Sequence, residues 1–223
     1  MYIKNRRVRI NKYSLAIFIA LIILILDILV ITNNEINHYR HQNFINDQGL
    51  AINSNYHPTT AKAPANVINS YSVPANDPKY IIIRKLNIDA RIIKVGLTGS
   101  NQINTPINSY DTAWYSGSAQ PGSPGTMFID GHVDGWYVPG VFYYLKNLVP
   151  GDVIDIVTGN NTTYSYVVKQ LKTYSASNVN MNQVLSSISP GVSALNLMTC
   201  AGGLINNNTD FNQRLVVFSL LQK

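Results

Sequence analysis

Cysteine is almost absent from this chain, which has one such residue, Cys200, among its 223 positions. One cysteine can form neither an intrachain disulfide nor a cysteine-based metal site, so the stability of the folded part must come from an ordinary apolar core. Charged residues make up only 13% of the chain, and its aspartates are scattered along the sequence. No glycine-rich phosphate loop accompanies them. The sequence therefore predicts no cofactor and no metal site.

Acidic residues are missing from the start of the chain. Residues 1–12 carry five Lys or Arg and no Asp or Glu, and the stretch Ser14–Ile31 that follows is apolar except for Asp27. About 18 to 20 apolar residues are enough to cross a bilayer as a helix, and a basic flank stays on the cytoplasmic side. The pattern predicts a cytoplasmic segment at 1–12 and a transmembrane anchor at 13–32, with the rest of the chain outside. A cleaved secretory signal is the alternative, but no small-residue cleavage site follows the apolar stretch.

Residues 13–223 are close to neutral, because they contain 12 of the 17 basic residues and all 11 acidic ones. A nucleic-acid-binding surface would require a basic patch or stripe. The sequence therefore predicts no nucleic-acid partner, and the positive charge of the chain is a signal of membrane topology.

Composition divides the exported part in two. Residues 33–78 are rich in Asn, Ser, Ala and Pro, which is typical of an extended stalk or linker. Residues 79–223 contain short runs of Ile, Val, Tyr and Thr separated by Gly, Pro, Asn and Asp, which indicates several β-strands joined by turns. Only residues 141–148 and 178–188 have a helical pattern. We expect one all-β domain, a barrel or a sandwich, with short helices.

Three residue types suggest that this domain carries chemistry. Cys200 follows the apolar run ALNLMT, where we expect a strand to end before AGG. A lone cysteine is often only a small buried apolar residue. However, His132 is the one histidine of residues 79–223 and also ends an apolar run, and Arg214 opens the next strong strand. A thiolate is a nucleophile, histidine can protonate a leaving amine, and a guanidinium can stabilise an oxyanion.

The order of these motifs resembles that of the sortases. TMFIDGHVD is followed by TC and, 14 residues after the cysteine, by an arginine that opens the last strand. YIIIRKLNIDARIIKVG looks like the opening strands of the family, and VFYYLKNLVPGDVIDI is similar to its F-x-x-L…GD segment. The resemblance covers the whole of residues 79–223. A membrane anchor followed by a stalk is also the usual layout of a sortase.

The resemblance implies an eight-stranded β-barrel on the outer side of a bacterial cell membrane, held by a single-pass helix with a cytoplasmic N-terminus. It implies a cysteine transpeptidase that cleaves an LPxTG-like sorting signal of secreted proteins. The product is a thioacyl intermediate on Cys200, which an amine from a cell-wall precursor or a pilin lysine resolves. His132 would be the general acid and later the base, Arg214 would stabilise the oxyanion, and Thr199 would assist substrate binding.

Other interpretations remain open from the sequence. GHVD and CAGG look more like class D, E and F sortases than class A. Asp134 could complete a Cys–His–Asp triad, although the sortase pattern uses arginine instead. The domain could also be a cysteine peptidase on the same fold, in which water resolves the intermediate. A non-catalytic anchored β-domain, an adhesin or a sensor ectodomain, would instead bury Cys200 and separate His132 from Arg214.

Overall fold

The computed structural model describes residues 65–135, 138–205 and 210–222. These residues include eight strands. They are β1 (Pro78–Ile83), β2 (Ile88–Val95), β3 (Thr112–Tyr115), β4 (Gly125–Gly131), β5 (Val153–Thr158), β6 (Thr163–Ser175), β7 (Ser193–Ile205) and β8 (Asp210–Leu221).

The eight strands close into a barrel in the order β1-β2-β3-β4-β7-β8-β6-β5. Two neighbouring pairs, β2–β3 and β4–β7, are parallel, and the other six pairs are antiparallel. Closure gives each of the eight described strands a neighbour on both sides, so none of them is an edge strand of the sheet. The predicted all-β, eight-stranded barrel with short helices is confirmed.

The barrel interior is filled by alternate side chains of the strands, as expected for a period of two. On β4, Met127 and Ile129 belong to the main core, whereas Phe128 between them belongs to a smaller cluster on the other face. The smaller cluster contains four buried residues, Phe128, Val184, Val216 and Phe218. Full burial of such a side chain contributes roughly 1.5–3 kcal/mol, so both faces of β4 help to stabilise the domain. The smaller cluster matters here because it lies under the candidate site.

The helices are shorter than the sequence pattern suggests. Residues 141–148, predicted as a helix, contain turns and one 3₁₀ segment, Leu145–Asn147. Residues 178–188 contain the single helical turn Met181–Val184, here called α2, whose N-cap Asn180 accepts hydrogen bonds from two amides. Leu145 and Val184 are fully buried. Because packing of these side chains stabilises each segment, neither segment needs a longer helix. No helix within the described ranges is both long and apolar enough to span a membrane.

The chain reaches the barrel through residues predicted as the end of the stalk. A short helix, α1 (Ala65–Asn69), is followed by turns that contact β2. The Tyr71 hydroxyl donates to the Ile92 carbonyl, and Lys94 donates to the Asp77 carboxylate at 3.0 Å. The last stalk residues therefore pack on the barrel instead of extending from it. The predicted cytoplasmic segment, the anchor and the stalk up to residue 64 lie outside the described residues.

Candidate active site

Cys200 and Arg214 face each other across the β7–β8 hairpin. The two residues are direct cross-strand partners in an antiparallel pair. The expectation that β7 ends at the cysteine and that β8 opens at the arginine is wrong, because the pairing continues to Ile205 and Asp210. A register shift between Ala201 and Leu204 interrupts the ladder just beyond the cysteine. The pair thus lies within a longer hairpin, beside an irregular stretch that twists the strand.

The irregular stretch requires a glycine. Gly202 has a φ of +82°, in the region that side-chain-bearing residues avoid. A Cβ atom there would lie 2.1 Å from the Asn212 Oδ1 atom, which accepts a hydrogen bond from the Gly203 amide. The glycines after the cysteine therefore fix the local backbone of the hairpin.

The Cys200 thiol is neutral in the resting site. The residue is only partly buried, so part of it is accessible from solvent. Desolvation raises the pKa of the thiol to about 11, the Arg214 guanidinium opposes this shift, and nearby carboxylates add to it. At pH 7 the thiolate is therefore a small fraction of the protein.

A hydrogen bond joins the cysteine strand to the histidine strand. The buried Thr199 Oγ1 donates to the Gly131 carbonyl at 2.7 Å. These residues immediately precede Cys200 and His132, so the bond fixes the two predicted catalytic residues relative to each other. Gly131 has no room for a side chain, because a Cβ atom would lie 2.6 Å from Phe142 Cδ2. Thr199 thus directs its hydroxyl toward the backbone of β4, and its predicted contact with substrate stays a prediction.

His132 is held in a loop just beyond β4. Its Nε2 atom lies 2.7 Å from the Pro106 carbonyl oxygen, and its own carbonyl accepts a hydrogen bond from the Phe142 amide. A carbonyl oxygen can only accept, so Nε2 carries the proton and the lone pair of a neutral ring is on Nδ1. Burial lowers the pKa of His132, while the Pro106 contact and the charge of Asp134 raise it. The imidazole is therefore neutral at pH 7 and able to accept a proton.

Asp134 acts on the histidine through its charge. It lies two residues beyond His132 and forms an isolated β-bridge with Pro139. The pKa of His132 is raised by this charge, but less than burial lowers it. The Nε2 atom of the ring contacts the Pro106 carbonyl, and the interpretation of Asp134 as the third member of a triad stays a prediction.

The Arg214 guanidinium is fixed by its own strand. Its Nη1 atom donates to the carbonyls of Phe211 and Gln213 at 2.8 and 2.9 Å, and its Nη2 atom donates to the Asp210 carboxylate at 3.0 Å. The side chain is 20% exposed. A guanidinium has five N–H donors, so these three bonds leave donors for an oxygen atom of a bound molecule. The bonds hold the cation in place without using its whole hydrogen-bonding capacity.

Apolar side chains continue from the site along the same face of the sheet. Met198 lies two residues before Cys200 and packs on the smaller cluster, as do Tyr174 and Met181. Asn196 donates from Nδ2 to the carbonyls of Val184 and Ser186, at 2.6 and 3.1 Å. These bonds hold the α2 segment on the smaller cluster.

A cavity lies elsewhere on the barrel. It has a volume of about 770 Å³ and is lined by residues of β1 and β2, by Tyr110 and Asp111, and by the 139–144 segment. None of the predicted site residues lines it. The cavity therefore does not define the candidate site.

Comparisons with known proteins agree with this fold. The sortase domain profile matches residues 81–222. No curated protein matches the chain. Among solved structures, sortase C1 from Streptococcus agalactiae is 22% identical, with a TM-score of 0.51 over 70% of this chain and 74% of that one. A lid mutant of sortase A from Corynebacterium diphtheriae is 20% identical, with a TM-score of 0.51 over the same shares. A sortase from Actinomyces oris is 20% identical, with a TM-score of 0.51 over 68% and 83%.

The barrel and the profile match together define the class of protein, a sortase-type cysteine transpeptidase. Because the profile covers more than half of the chain, the chain belongs to the sortase family. The predicted family is confirmed, and the predicted subclass within it stays a prediction.

The sequence interpretation missed three groups near the predicted residues. These are the Pro106 carbonyl at the histidine ring, the Asp210 carboxylate at the arginine, and Asp130 on β4. Pro106 is separated from His132 by 26 residues and approaches it only through the fold, whereas Asp130 lies two residues before His132, inside the motif TMFIDGHVD. Asp210 lies four residues before Arg214, and only that spacing could have pointed to it.

Proposed function

We propose that this protein is a membrane-anchored sortase that cleaves an LPxTG-like sorting signal and transfers the cleaved protein to an amine. Cys200 is the nucleophile, His132 the proton carrier and Arg214 the group that binds the developing oxyanion. The observation that carries the proposal is the bond from Thr199 to Gly131, which joins β7, the strand of Cys200, to β4, the strand that leads to His132, while Arg214 lies opposite Cys200 on β8. The family membership supplies the reaction class.

The first half of the reaction follows from the charges of the site. The Cys200 sulfur attacks the threonine carbonyl carbon of the signal, and its proton passes to the neutral imidazole of His132. The donors of Arg214 bind the oxygen that becomes negative in the tetrahedral intermediate, where a preorganised cation is most effective. The imidazolium then gives its proton to the leaving glycine nitrogen, and a thioester remains on Cys200.

The second half reverses the roles with a new amine. The incoming amine attacks the thioester carbonyl, His132 takes the amine proton, and the cysteine leaves as a thiol after proton return. A cell-wall precursor or a pilin lysine would supply this amine outside the cell. A cytoplasmic N-terminus, an anchor at 13–32 and an extracellular catalytic domain are part of the same proposal.

The test is mass spectrometry of the full chain in mild detergent with LPxTG-type peptides, with and without triglycine. A peptide adduct on Cys200 and a triglycine-ligated product, both absent from Cys200→Ala, are expected. Cys200→Ala is a suitable control because no other cysteine can react in its place. Arg214→Lys keeps the charge but not the guanidinium fork, so its adduct yield should also fall.

Two outcomes would contradict parts of the proposal. An adduct that gives only hydrolysed peptide in the presence of triglycine would indicate a cysteine peptidase. No adduct with any peptide of a broad set, although iodoacetamide modifies Cys200, would exclude LPxTG-like signals as substrates.

A further inference from the structure

Asp130 lies on the same face of the sheet as the predicted catalytic groups. It is the last residue but one of β4, two positions beyond Phe128, which packs in the cluster under the site. Because side chains alternate along a strand, Asp130 and Phe128 share a face, and the core residue Ile129 points the opposite way. The carboxyl group therefore stands on the active-site side of the barrel.

The strand register brings Asp130 close to the nucleophile. Asp130 is paired with Met198 on β7, and Cys200 is the next residue of β7 that points to the same face. Cys200 is in turn paired with Arg214 on β8. Three adjacent strands thus place a carboxyl group, a thiol and a guanidinium side by side.

The environment of Asp130 disfavours its charge. The residue retains some exposed area, yet the protein around its carboxyl group desolvates it and raises its pKa to about 7. The Gly131 amide and the Arg214 guanidinium oppose this shift but do not cancel it. The charge of Asp130 in turn raises the pKa of Cys200, against the effect of Arg214. The Arg214 guanidinium therefore lowers the pKa of both Asp130 and Cys200, and the charge of Asp130 offsets part of its effect on the thiol.

Other ionisable groups surround the same space. They are Tyr115 on β3, His132 and Asp134 after β4, Tyr174 on β6, Cys200 on β7, and Asp210 and Arg214 on β8. Asp210 and Asp134 also raise the pKa of Cys200, but each comes after Asp130 in size. Asp130 is thus the carboxylate with the strongest effect on the thiol.

We propose that Asp130 is a positioning residue that lowers the thiolate fraction of Cys200 by offsetting the charge of Arg214. This inference rests on the proposed function, in which Cys200 is the nucleophile. When Asp130 is ionised, the field of Arg214 at the sulfur is weakened and the resting thiol is protected from adventitious electrophiles. When Asp130 is neutral, the full charge of Arg214 favours the thiolate.

The test is the rate of alkylation of the full chain by iodoacetamide between pH 5.5 and 10. All alkylated thiol is Cys200, because the chain has no other cysteine. The variant is Asp130→Asn, which has the same size and cannot ionise. The matched control is Asp89→Asn, which removes the same charge from an exposed position of β2 and is not among the groups that shift the pKa of Cys200.

We expect Asp130→Asn to react about tenfold faster than the wild type at pH 8–9, which corresponds to a thiol pKa lower by about one unit. Asp89→Asn should match the wild type. In the wild type, the logarithm of the rate should rise less steeply near pH 7, where Asp130 ionises, and this flattening should be missing from Asp130→Asn.

The proposal is overturned if Asp130→Asn and Asp89→Asn react within twofold of each other at every pH. If Asp130→Asn does not fold, as judged by circular dichroism, the wild-type profile decides alone, and a straight line through pH 7 overturns the proposal. Alkylation needs no peptide, so this result is independent of the transpeptidase assay. A shifted alkylation profile without peptide adduct would exclude LPxTG-like signals as substrates and would still support the effect of Asp130 on the thiol.

Discussion

The hydrogen bond from Thr199 to Gly131 should determine both the stability of the barrel and the geometry of the site. Thr199→Val keeps the shape of the side chain and removes its donor. The threonine is 2% exposed and its bond is 2.7 Å long, so the variant loses a buried hydrogen bond and leaves the Gly131 carbonyl without its side-chain partner. Together these effects cost about 1–3 kcal/mol. For a domain of this size each kcal/mol lowers Tm by about 2–4 °C.

Thr126 provides a matched control for this substitution. It is a second buried threonine on the barrel, 6% exposed, and its Oγ1 atom has no hydrogen-bond partner among the described residues. Thr126→Val removes a hydroxyl that is already unsatisfied, so it should leave the free energy of unfolding unchanged or slightly higher. The two variants make the same chemical change in the same sheet and differ in the hydrogen bond alone.

The assays are urea denaturation followed by circular dichroism, and transpeptidation kinetics. We expect Thr199→Val to lower kcat/KM by about tenfold or more, because small displacements of reacting groups cost large factors in rate. Thr126→Val should retain the wild-type value within about twofold. Equal stability losses in the two variants would refute the reasoning. Full activity in a destabilised Thr199→Val would show that the bond stabilises the fold without positioning the site.

Three further predictions follow from the same contacts. Gly131→Ala places a Cβ atom 2.6 Å from the buried ring of Phe142, so we expect unfolding by urea to require about 1–3 kcal/mol less free energy and transpeptidation to be lost. Asp130→Asn should stabilise the protein more at pH 8 than at pH 5. The pKa of Asp130 is raised to about 7, so the folded state keeps a proton that the unfolded state releases near pH 4. The free energy of unfolding of the wild type therefore falls as the pH rises from about 4 to about 7. Equilibrium unfolding of both proteins at pH 5 and pH 8 measures the difference. Asp210→Asn breaks a partly exposed ion pair with Arg214, so its thermal midpoint should stay close to that of the wild type while alkylation of the thiol becomes faster.

The strands of the barrel were predictable where the sequence concentrates Ile and Val between turn residues. β1, β2, β5 and the apolar half of β8 follow this rule, and their positions agree with the predicted runs. The strand β3 did not show the pattern, because it has only four residues, Thr112–Tyr115. It is held by a parallel pairing with β2 and an antiparallel pairing with β4. A strand this short is defined by its neighbours, and a local pattern contains no information about them.

The ends of β7 and β8 were misjudged for a related reason. Glycines and asparagines dominate the sequence between Cys200 and Arg214, and such composition normally indicates a loop. The hairpin nevertheless continues, since Leu204 pairs with Phe211 beyond the register shift. Backbone pairing alone is enough to extend a hairpin that the adjacent apolar part already holds in register. As a result, Arg214 takes two of its hydrogen-bond partners from the backbone of the extended β8.

The site combines a local and a global element of the fold, and the two differ in what they need. Cys200 and Arg214 are opposed by a hairpin, a contact between chain segments that are close in sequence. His132 reaches them only through the parallel pairing of β4 with β7, which depends on closure of the barrel. Parallel pairing requires long loops to be ordered first, so it forms only with the whole domain. A partly folded chain can therefore present the thiol beside the cation, but it lacks the imidazole in place. A free thiol has a pKa of about 8.5 and is mostly protonated at pH 7, so such a chain would lack the base that the proposed attack requires.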